Sequence, residues 1–475
     1  MSLPSRREVL LAGASVTLLG CPTPSPTPDA GPPTVDAQAF DQATRVAFAP
    51  EAIAAPLAAF PQAVASGAME QATALVVTRA PTLPRVVLRV WRPLDSSTEV
   101  ALVTEQALDV PTHGAVKARV RGLAPATTYR YAFFAPDFSV RSAIGAFRTA
   151  FPDDWLEPVT FGTTSCAKLA NGPFKALSLQ AQVPMDFFVH LGDVSYNDGA
   201  VALEEFRDKW RGTLADEGYR ALLPAVGTYL TWDDHDFWNN FDPEVNGATD
   251  GRFLDARQAF LESLPTELSP EGRLWRSFRW GRTVEVFVVD SRTERRASTR
   301  LSADPQYLSR AQLDWLKAGL ADSPCHFKVV MSSVPITTMP PPLWGGQADR
   351  WQGYPAARSE LLEHLVAADV KNVWFLGGDF HLGLVMRLDG EGPNARFMEI
   401  AGGPAGHGNP LSLVLEPGQE ANREIAFPQR QFLFASGDTN ATTLTLDPKA
   451  DTVRVVFQGA TSGRTTFDQV LRFGG

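Results

Sequence analysis

The chain has 475 residues, long for one domain and enough for two or three, and its 44% hydrophobic content can fill a sizeable core. A net charge of −10 gives no global positive field to attract nucleic acid, so an anionic substrate would have to be held by local cations. Cys21, Cys166 and Cys325 are the only cysteines, too few for a disulfide framework.

Ser5-Arg6-Arg7-Glu8, followed by the apolar run Val9 to Leu19, reads as a twin-arginine export signal over residues 1–20, too short to span a bilayer. The expected location is periplasmic or outer-surface. Leu18-Leu19-Gly20-Cys21 resembles a bacterial lipobox, although Leu19 stands where a small residue is usual. Cys21 is therefore either a lipid anchor to the membrane or incidental to a plain cleaved signal. Pro, Thr, Ser and Asp dominate residues 22–33 and cannot bury themselves, and a tether is predicted over residues 21–58. No other stretch has the roughly eighteen consecutive apolar residues of a membrane helix.

Between Phe60 and Thr149 the pattern has period two. Val116, Ala118 and Val120 alternate with Lys117, Arg119 and Arg121, a strand with one buried face. Leu123 to Tyr131 resembles a fibronectin-III strand entry, where a tyrosine hydroxyl ties the corner back to the backbone. Residues 59–150 are predicted as a small fibronectin-III-like β-sandwich that spaces or shapes the next domain.

After Pro158 apolar runs alternate with amphipathic helical patterns, such as Ala311 to Leu320 and Ala356 to Ala367, which predicts an α/β layered domain over residues 151–475. Val159 to Ser165 leads into Cys166. Phe187 to Leu191 leads through Gly192 into Asp193, with Tyr196 one turn further. Gly227 to Trp232 leads into Asp233-Asp234-His235-Asp236, Thr283 to Val289 into Asp290-Ser291-Arg292, and Asn372 to Leu376 into Gly377-Gly378-Asp379-Phe380-His381. In open α/β sheets ligands bind beyond the carboxyl ends of the strands, so these endings are expected to share one rim. His190 reads as a core histidine and His364 as structural, while His407, in a Gly-rich loop, either lines the mouth or sits in a turn. The runs Thr442 to Leu446 and Val453 to Phe457 are expected to complete a sheet.

Brought together, Cys166, Asp193, Tyr196, Asp234, Asp379 and His381 would suit hard, strongly acidic cations. Carboxylates favour hard ions, and a phenolate and a thiolate need an acidic metal to stay deprotonated, which points to ferric iron rather than magnesium alone. Asp193 is the expected bridge, since one carboxylate can serve two ions about 3.5–4 Å apart. Cys166 is favoured as a ligand over a Cys166–Cys325 pair, with Cys325 a small buried residue opening a strand.

Ser165-Cys166, Gly192-Asp193-x-x-Tyr196, Trp232-Asp233-Asp234-His235-Asp236 with Asn239-Asn240, Val289-Asp290-Ser291-Arg292, Asp349-Arg350-Trp351-Gln352-Gly353-Tyr354 and Gly378-Asp379-Phe380-His381 together resemble the PhoD family of alkaline phosphatases and phosphodiesterases. The resemblance runs from about Phe60 to Ala401 and includes the export signal. It implies a calcineurin-like metallophosphoesterase fold, a layered β-sandwich flanked by helices, with ferric iron and calcium. It also implies that Cys166, Asp193, Tyr196 and His381 hold the iron and that Asp193 reaches the calcium. Asp234 and Asp379, with Asn239 or Asn240, would complete the calcium shell, and His235 would face the phosphate. Asn197-Asp198 follows Tyr196 where a Glu is expected, and the C-terminal segment offers no evident iron-site lid.

The expected reaction is hydrolysis of phosphate mono- or diesters by a metal-bound hydroxide attacking phosphorus in line. His235 would protonate the leaving alkoxide or stabilise equatorial oxygens, and Arg292 would clamp the phosphoryl group, a solvated basic turn with Arg295 and Arg296 being the competing reading. The alternative function is a surface-anchored, metal-containing binding protein without turnover, which has no need of a proton donor. A Gly-x-Ser-x-Gly elbow, a Walker A loop and a His-Glu-x-x-His motif are all absent from the sequence, which disfavours a serine esterase, a nucleotide triphosphatase and a zincin. A phosphate ester is the expected partner, no nucleic-acid-binding domain is expected, and the molecule is expected to be a monomer.

Overall fold

The computed structural model describes residues 31–38, 43–94, 99–247, 250–340, 348–415 and 418–474. The export signal and Cys21 lie outside them. Pro33–Gly475 forms one compact unit.

The tether predicted to residue 58 is overturned from Pro33 onward. Thr34–Asp36 adds in parallel to Ala115–Arg121, and Thr44–Ala47 pairs antiparallel with Glu99–Asp109. These strands are too short for a hydrophobic period, and their order comes from the open edges of the strands they join.

Among the described residues the strands form three sheets. A five-stranded sheet runs Thr44–Ala47, Glu99–Asp109, Arg85–Pro93, Thr128–Phe134, Gly145–Arg148. The tie expected at the corner is present, with the Tyr129 hydroxyl accepting the Ala124 N–H at 2.8 Å. The remaining N-terminal strands do not close a separate body. Thr34–Asp36, Ala115–Arg121, Thr73–Arg79 and Ala65–Gly67 run on into Thr228–Leu230, Phe187–His190, Val159–Thr164, Asn440–Asp447, Thr452–Gly459 and Thr465–Leu471 as one ten-stranded sheet. The join is the parallel pairing of Gly67 with Thr228, and a Cβ at Gly67 would lie 2.3 Å from the Pro265 carbonyl oxygen and 2.7 Å from that of Thr228. Only glycine lets the two halves meet so closely.

The third sheet has seven strands in the order Arg276–Trp280, Val284–Val288, Phe327–Met331, Val373–Gly377, Met398–Ala401, Gly383–Arg387, Phe432–Ser436. It packs on the ten-stranded sheet: Phe161, Phe187, Val189 and Tyr229 share a core with Val286, Val288, Val329, Trp374 and Ile400. The next residue along each strand points outward to helices. Phe188 and Leu230 meet Leu177, Trp210, Leu222 and Phe260 from Lys175–Gln180, Leu203–Leu214, Glu217–Ala225 and Gly251–Ser263. Phe287, Val330 and Phe375 meet Leu316, Leu361 and Leu365 from Arg310–Asp322 and Pro355–Ala367. Burial on both faces is why these strands read as unbroken apolar runs, and each such side chain contributes roughly 1.5–3 kcal/mol.

Val159–Thr164, Phe187–His190 and Thr228–Leu230 are mutually parallel, as are Val284–Val288, Phe327–Met331, Val373–Gly377 and Met398–Ala401. Their carboxyl ends therefore present the turns that follow them on a common side within each sheet. Among the described residues no helix is long and apolar enough to cross a membrane.

Candidate metal centre

The chain turns sharply where these strands stop. Cys166, Asp193, Asp379 and His381 have φ of 57°, 53°, 58° and 58°, the left-handed region that costs a non-glycine residue about 1–2 kcal/mol. Such strain persists only where the surroundings enforce it, and it gathers at functional sites. Gly192, with φ of 93°, brings the Asp193 turn against the Asp233 turn, and a Cβ there would lie 2.6 Å from the Asp233 Cβ. At Gly378 a Cβ would meet the carbonyl oxygens of Ser333 at 2.7 Å and Leu191 at 2.9 Å, so the ends of the two sheets touch at this residue.

Asp236 ties two of the turns together. Its buried carboxylate accepts the backbone N–H groups of Asp193 and Asp233, each at 2.9 Å, and of Ser195 at 3.1 Å. Burial pushes its pKa up to about 7 in spite of those bonds.

Three overlapping groups of ligand atoms result, each with its atoms within 4.8 Å of one another: Cys166, Asp193 and His381; Asp193, Asp234 and His235; and Asp233, Asp234 and Asp379. Asp193 belongs to the first two and Asp234 to the last two. The Tyr196 hydroxyl joins the first group, 3.0 Å from Oδ2 of Asp193 and 3.2 Å from Nε2 of His381. Asn239 and Asn240 lie on an exposed turn beside the groups, where their backbone N–H groups donate to Asp198 Oδ1 at 2.7 Å and Asp234 Oδ2 at 2.6 Å.

Without cations this assembly is electrostatically unfavourable. Burial, then the charges of Asp234, Asp236 and Asp379, hold the Asp193 carboxyl well above its usual range. Burial and Asp193 push the Cys166 thiol up, and burial, Asp193 and Cys166 push up the Tyr196 phenol. Asp233 Oδ2 and Asp234 Oδ1 are buried without a hydrogen-bond partner. Orphaned carboxylate oxygens in a cluster of like charge are costly unless cations neutralise them, and the donor set fits more than one ion.

The family model for PhoD-like phosphatase matches residues 161–455, and that for the PhoD-like phosphatase N-terminal domain matches residues 46–151. The chain belongs to the PhoD-like phosphatase family. Alkaline phosphatase D of Bacillus subtilis (strain 168) is 26% identical over an alignment of 324 residues, and the match covers 58% of this chain and 55% of that protein. The match therefore spans little more than half of that relative. The structure of PhoD superposes with a TM-score of 0.72 at 20% identity, over 86% of this chain and 88% of that one. Purple acid phosphatase PPD1 from yellow lupin (Lupinus luteus) superposes with a TM-score of 0.59 at 10% identity, over 87% of this chain and 75% of that one. These two likenesses show a shared fold.

In this PhoD-like chain Arg292 is turned inward. It is 0% exposed, its Nε donates to Asp233 Oδ1, its Nη1 donates to Asp349 Oδ2 at 3.0 Å, and its Nη2 lies 3.6 Å from Asp234 Oδ1. Burial opposes the charge, but Asp233, Asp234 and Asp349 hold the guanidinium protonated well above its ordinary pKa. Engaged inward on three carboxylates, it fits neither a phosphoryl clamp nor a solvated turn, and it braces the turn that carries Asp234. Asp290 is likewise structural, accepting from Trp232 Nε1 at 2.9 Å and from the backbone of Arg292 and Thr293.

His235 stacks on the Tyr196 ring at 4.0 Å between centroids, and its Nδ1 lies 2.8 Å from Asp198 Oδ2. Burial pulls its pKa down, but the Asp198 bond and the charge of Asp234 carry it above the usual imidazole value. The departure from the family pattern at Asn197-Asp198 thus falls on residues with definite contacts, since the Asn197 amide donates to the Asp236 carbonyl at 2.7 Å.

Other contacts escaped the sequence reading. Arg350 donates through Nε to Asp379 Oδ2 at 2.9 Å with its guanidinium 4.4 Å over the Phe380 ring, and His407 Nδ1 lies 3.0 Å from the Tyr196 hydroxyl. His190 is a core histidine, as expected, with Nε2 2.8 Å from the Tyr219 hydroxyl. Cys166 and Cys325 are both free, and Cys325 is buried just ahead of Phe327–Met331.

Proposed function

We propose that this chain is an exported metal-dependent hydrolase of phosphate mono- or diesters. The observation that carries the reading is Asp193, shared between the Cys166–Tyr196–His381 side and the Asp234 side of one cluster, with His235 beside it. Family membership supports the same chemistry.

The thiolate, phenolate, imidazole and carboxylate of Cys166, Tyr196, His381 and Asp193 suit a ferric ion, and the carboxylates of Asp193, Asp234 and Asp379 suit calcium. When bound, the ions supply the Lewis acidity that offsets phosphoryl charge and acidifies water. The protein's own groups do the rest. Asp198 holds His235 by Nδ1 and favours the imidazolium, leaving the Nε2 proton for the departing alkoxide. The hydrogen bond from Arg350 fixes Asp379, and Arg292 fixes Asp233. Lys168, with Nζ 5.8 Å above the Tyr196 ring, is a local cation for an anionic substrate on a chain of net negative charge.

The binding-protein alternative lacks any use for the Asp198–His235 pair, and this pair favours the enzyme. Incubation of metal-loaded protein with p-nitrophenyl phosphate and with bis(p-nitrophenyl) phosphate separates the two readings. Release of p-nitrophenol from either ester supports hydrolysis, and release from neither sinks it. Export through the signal at residues 1–20 to the periplasm or outer surface is part of the proposal, and mass spectrometry of the mature N-terminus decides whether Cys21 carries lipid.

A further inference from the structure

Residues Gly402 to Asn409 cross from one ligand-bearing turn to the other. On one side Ala405 N–H donates to the Ser165 carbonyl at 2.9 Å, Gly406 N–H donates to that of Cys166 at 3.2 Å, and the Gly403 carbonyl accepts from Thr164 Oγ1 at 3.1 Å. On the other side the Asn409 amide donates to the Phe380 carbonyl, between Asp379 and His381, at 2.8 Å. This close fit requires glycine. A Cβ at Gly403 would lie 2.7 Å from the Asn440 Cβ, and one at Gly406 would lie 2.6 Å from Cε1 of Phe174.

The segment so pinned delivers His407. Its Nδ1 is 3.0 Å from the Tyr196 oxygen, its ring centroid is 3.9 Å from that of His381, and its plane stands at 85° to the Tyr196 ring. His407 is not among the groups of metal-ligating atoms. We propose that His407 is a positioning residue that donates its Nδ1–H to the Tyr196 oxygen and holds the phenol in its ligating orientation. The inference rests on the reading of Tyr196 as a ligand.

Hydrogen-bond accounting supports it. The Tyr196 oxygen has three neighbours: Asp193 Oδ2, His381 Nε2 and His407 Nδ1. While the phenol keeps its proton, it can donate to Asp193 and still accept from His407. Once deprotonated as a ligand it can only accept, Asp193 has nothing to donate, and His381 directs its nitrogen lone pair to the same ion. His407 is then the one of the three free to donate, the kind of outer contact that orients a ligand and sets how firmly an ion is held.

The test compares His407→Asn, which keeps an N–H donor on a short side chain, with His407→Leu, which has similar bulk and no donor. Full-length protein of each is titrated with chelator and assayed for bound metal, and kcat and KM for p-nitrophenyl phosphate are determined separately. The expected result is that His407→Leu releases metal at about tenfold lower chelator concentration and loses about tenfold in kcat with KM unchanged, while His407→Asn stays near the parent. Equal metal retention in parent and His407→Leu would overturn the proposal. So would a rise in KM with kcat unchanged, the mark of a substrate contact. A parent that binds metal but cleaves neither ester would sink the hydrolase reading alone, because metal retention still reads the role of His407.

Discussion

Oδ2 of Asp198 lies 2.8 Å from Nδ1 of His235, and the other oxygen of the same carboxylate takes the Asn239 N–H at 2.7 Å. One side chain therefore orients the imidazole and anchors the turn that follows it. Asp198→Asn removes the charge that supports the imidazolium while keeping the shape. Its kcat should fall by about 10- to 100-fold at unchanged metal content. Steady-state kinetics paired with metal analysis checks this, and an undiminished kcat would show that His235 carries no proton in the reaction.

Because Asp193 belongs to two ligand groups, its loss should empty both. Asp193→Ala is expected to lower bound metal on both sides of the cluster and to abolish turnover together. Elemental analysis of the purified variant reads the first effect directly. Normal metal content with retained activity would remove the site as drawn.

Arg292→Met tests whether that guanidinium braces the fold or contacts substrate. Removing a guanidinium that is 0% exposed leaves the buried Asp233 and the half-buried Asp349 without their cation, which should cost about 3–5 kcal/mol of stability in urea unfolding. A substrate clamp would behave otherwise, with native stability and a raised KM.

His190 makes stability depend on pH. Burial lowers its pKa from 6.5 to about 3, so between those values the unfolded chain takes up a proton that the folded chain refuses. Its contribution is complete above pH 6.5 and declines as pH falls, by on the order of 3 kcal/mol between pH 7 and pH 4. Urea midpoints measured across that range should fall with acid, and the fall should be shallower in His190→Gln. Parallel profiles for the two proteins would contradict the assignment.

The central strands and their chemistry were legible because they are buried on both faces and stop at ligand residues. Phe187 and Phe188 point to opposite cores, so the run cannot be polar at either position. Cys166, Asp193, Asp379 and His381 stand at strand ends where the chain must turn, and their positive φ is the price of the geometry. Arg292 misled because a motif shows that a cation is present and not which way it faces. The glycines around His407 left open whether it lines the mouth or sits in a turn, because its placement depends on packing against Phe174 and Asn440, far off in sequence. The sheet that joins the two halves was equally hidden, because its link is the Gly67–Thr228 pairing and no hydrophobic period records it.

The most direct test of a shared metal centre is the rate of p-nitrophenyl phosphate and bis(p-nitrophenyl) phosphate hydrolysis by purified protein whose metal content is measured before chelation, after it, and after iron and calcium are restored. The expected result is turnover that disappears with the metal and returns with it. Undiminished hydrolysis by protein shown to hold no metal would contradict the assignment of Cys166, Asp193, Tyr196, Asp234, Asp379 and His381 to one catalytic cluster.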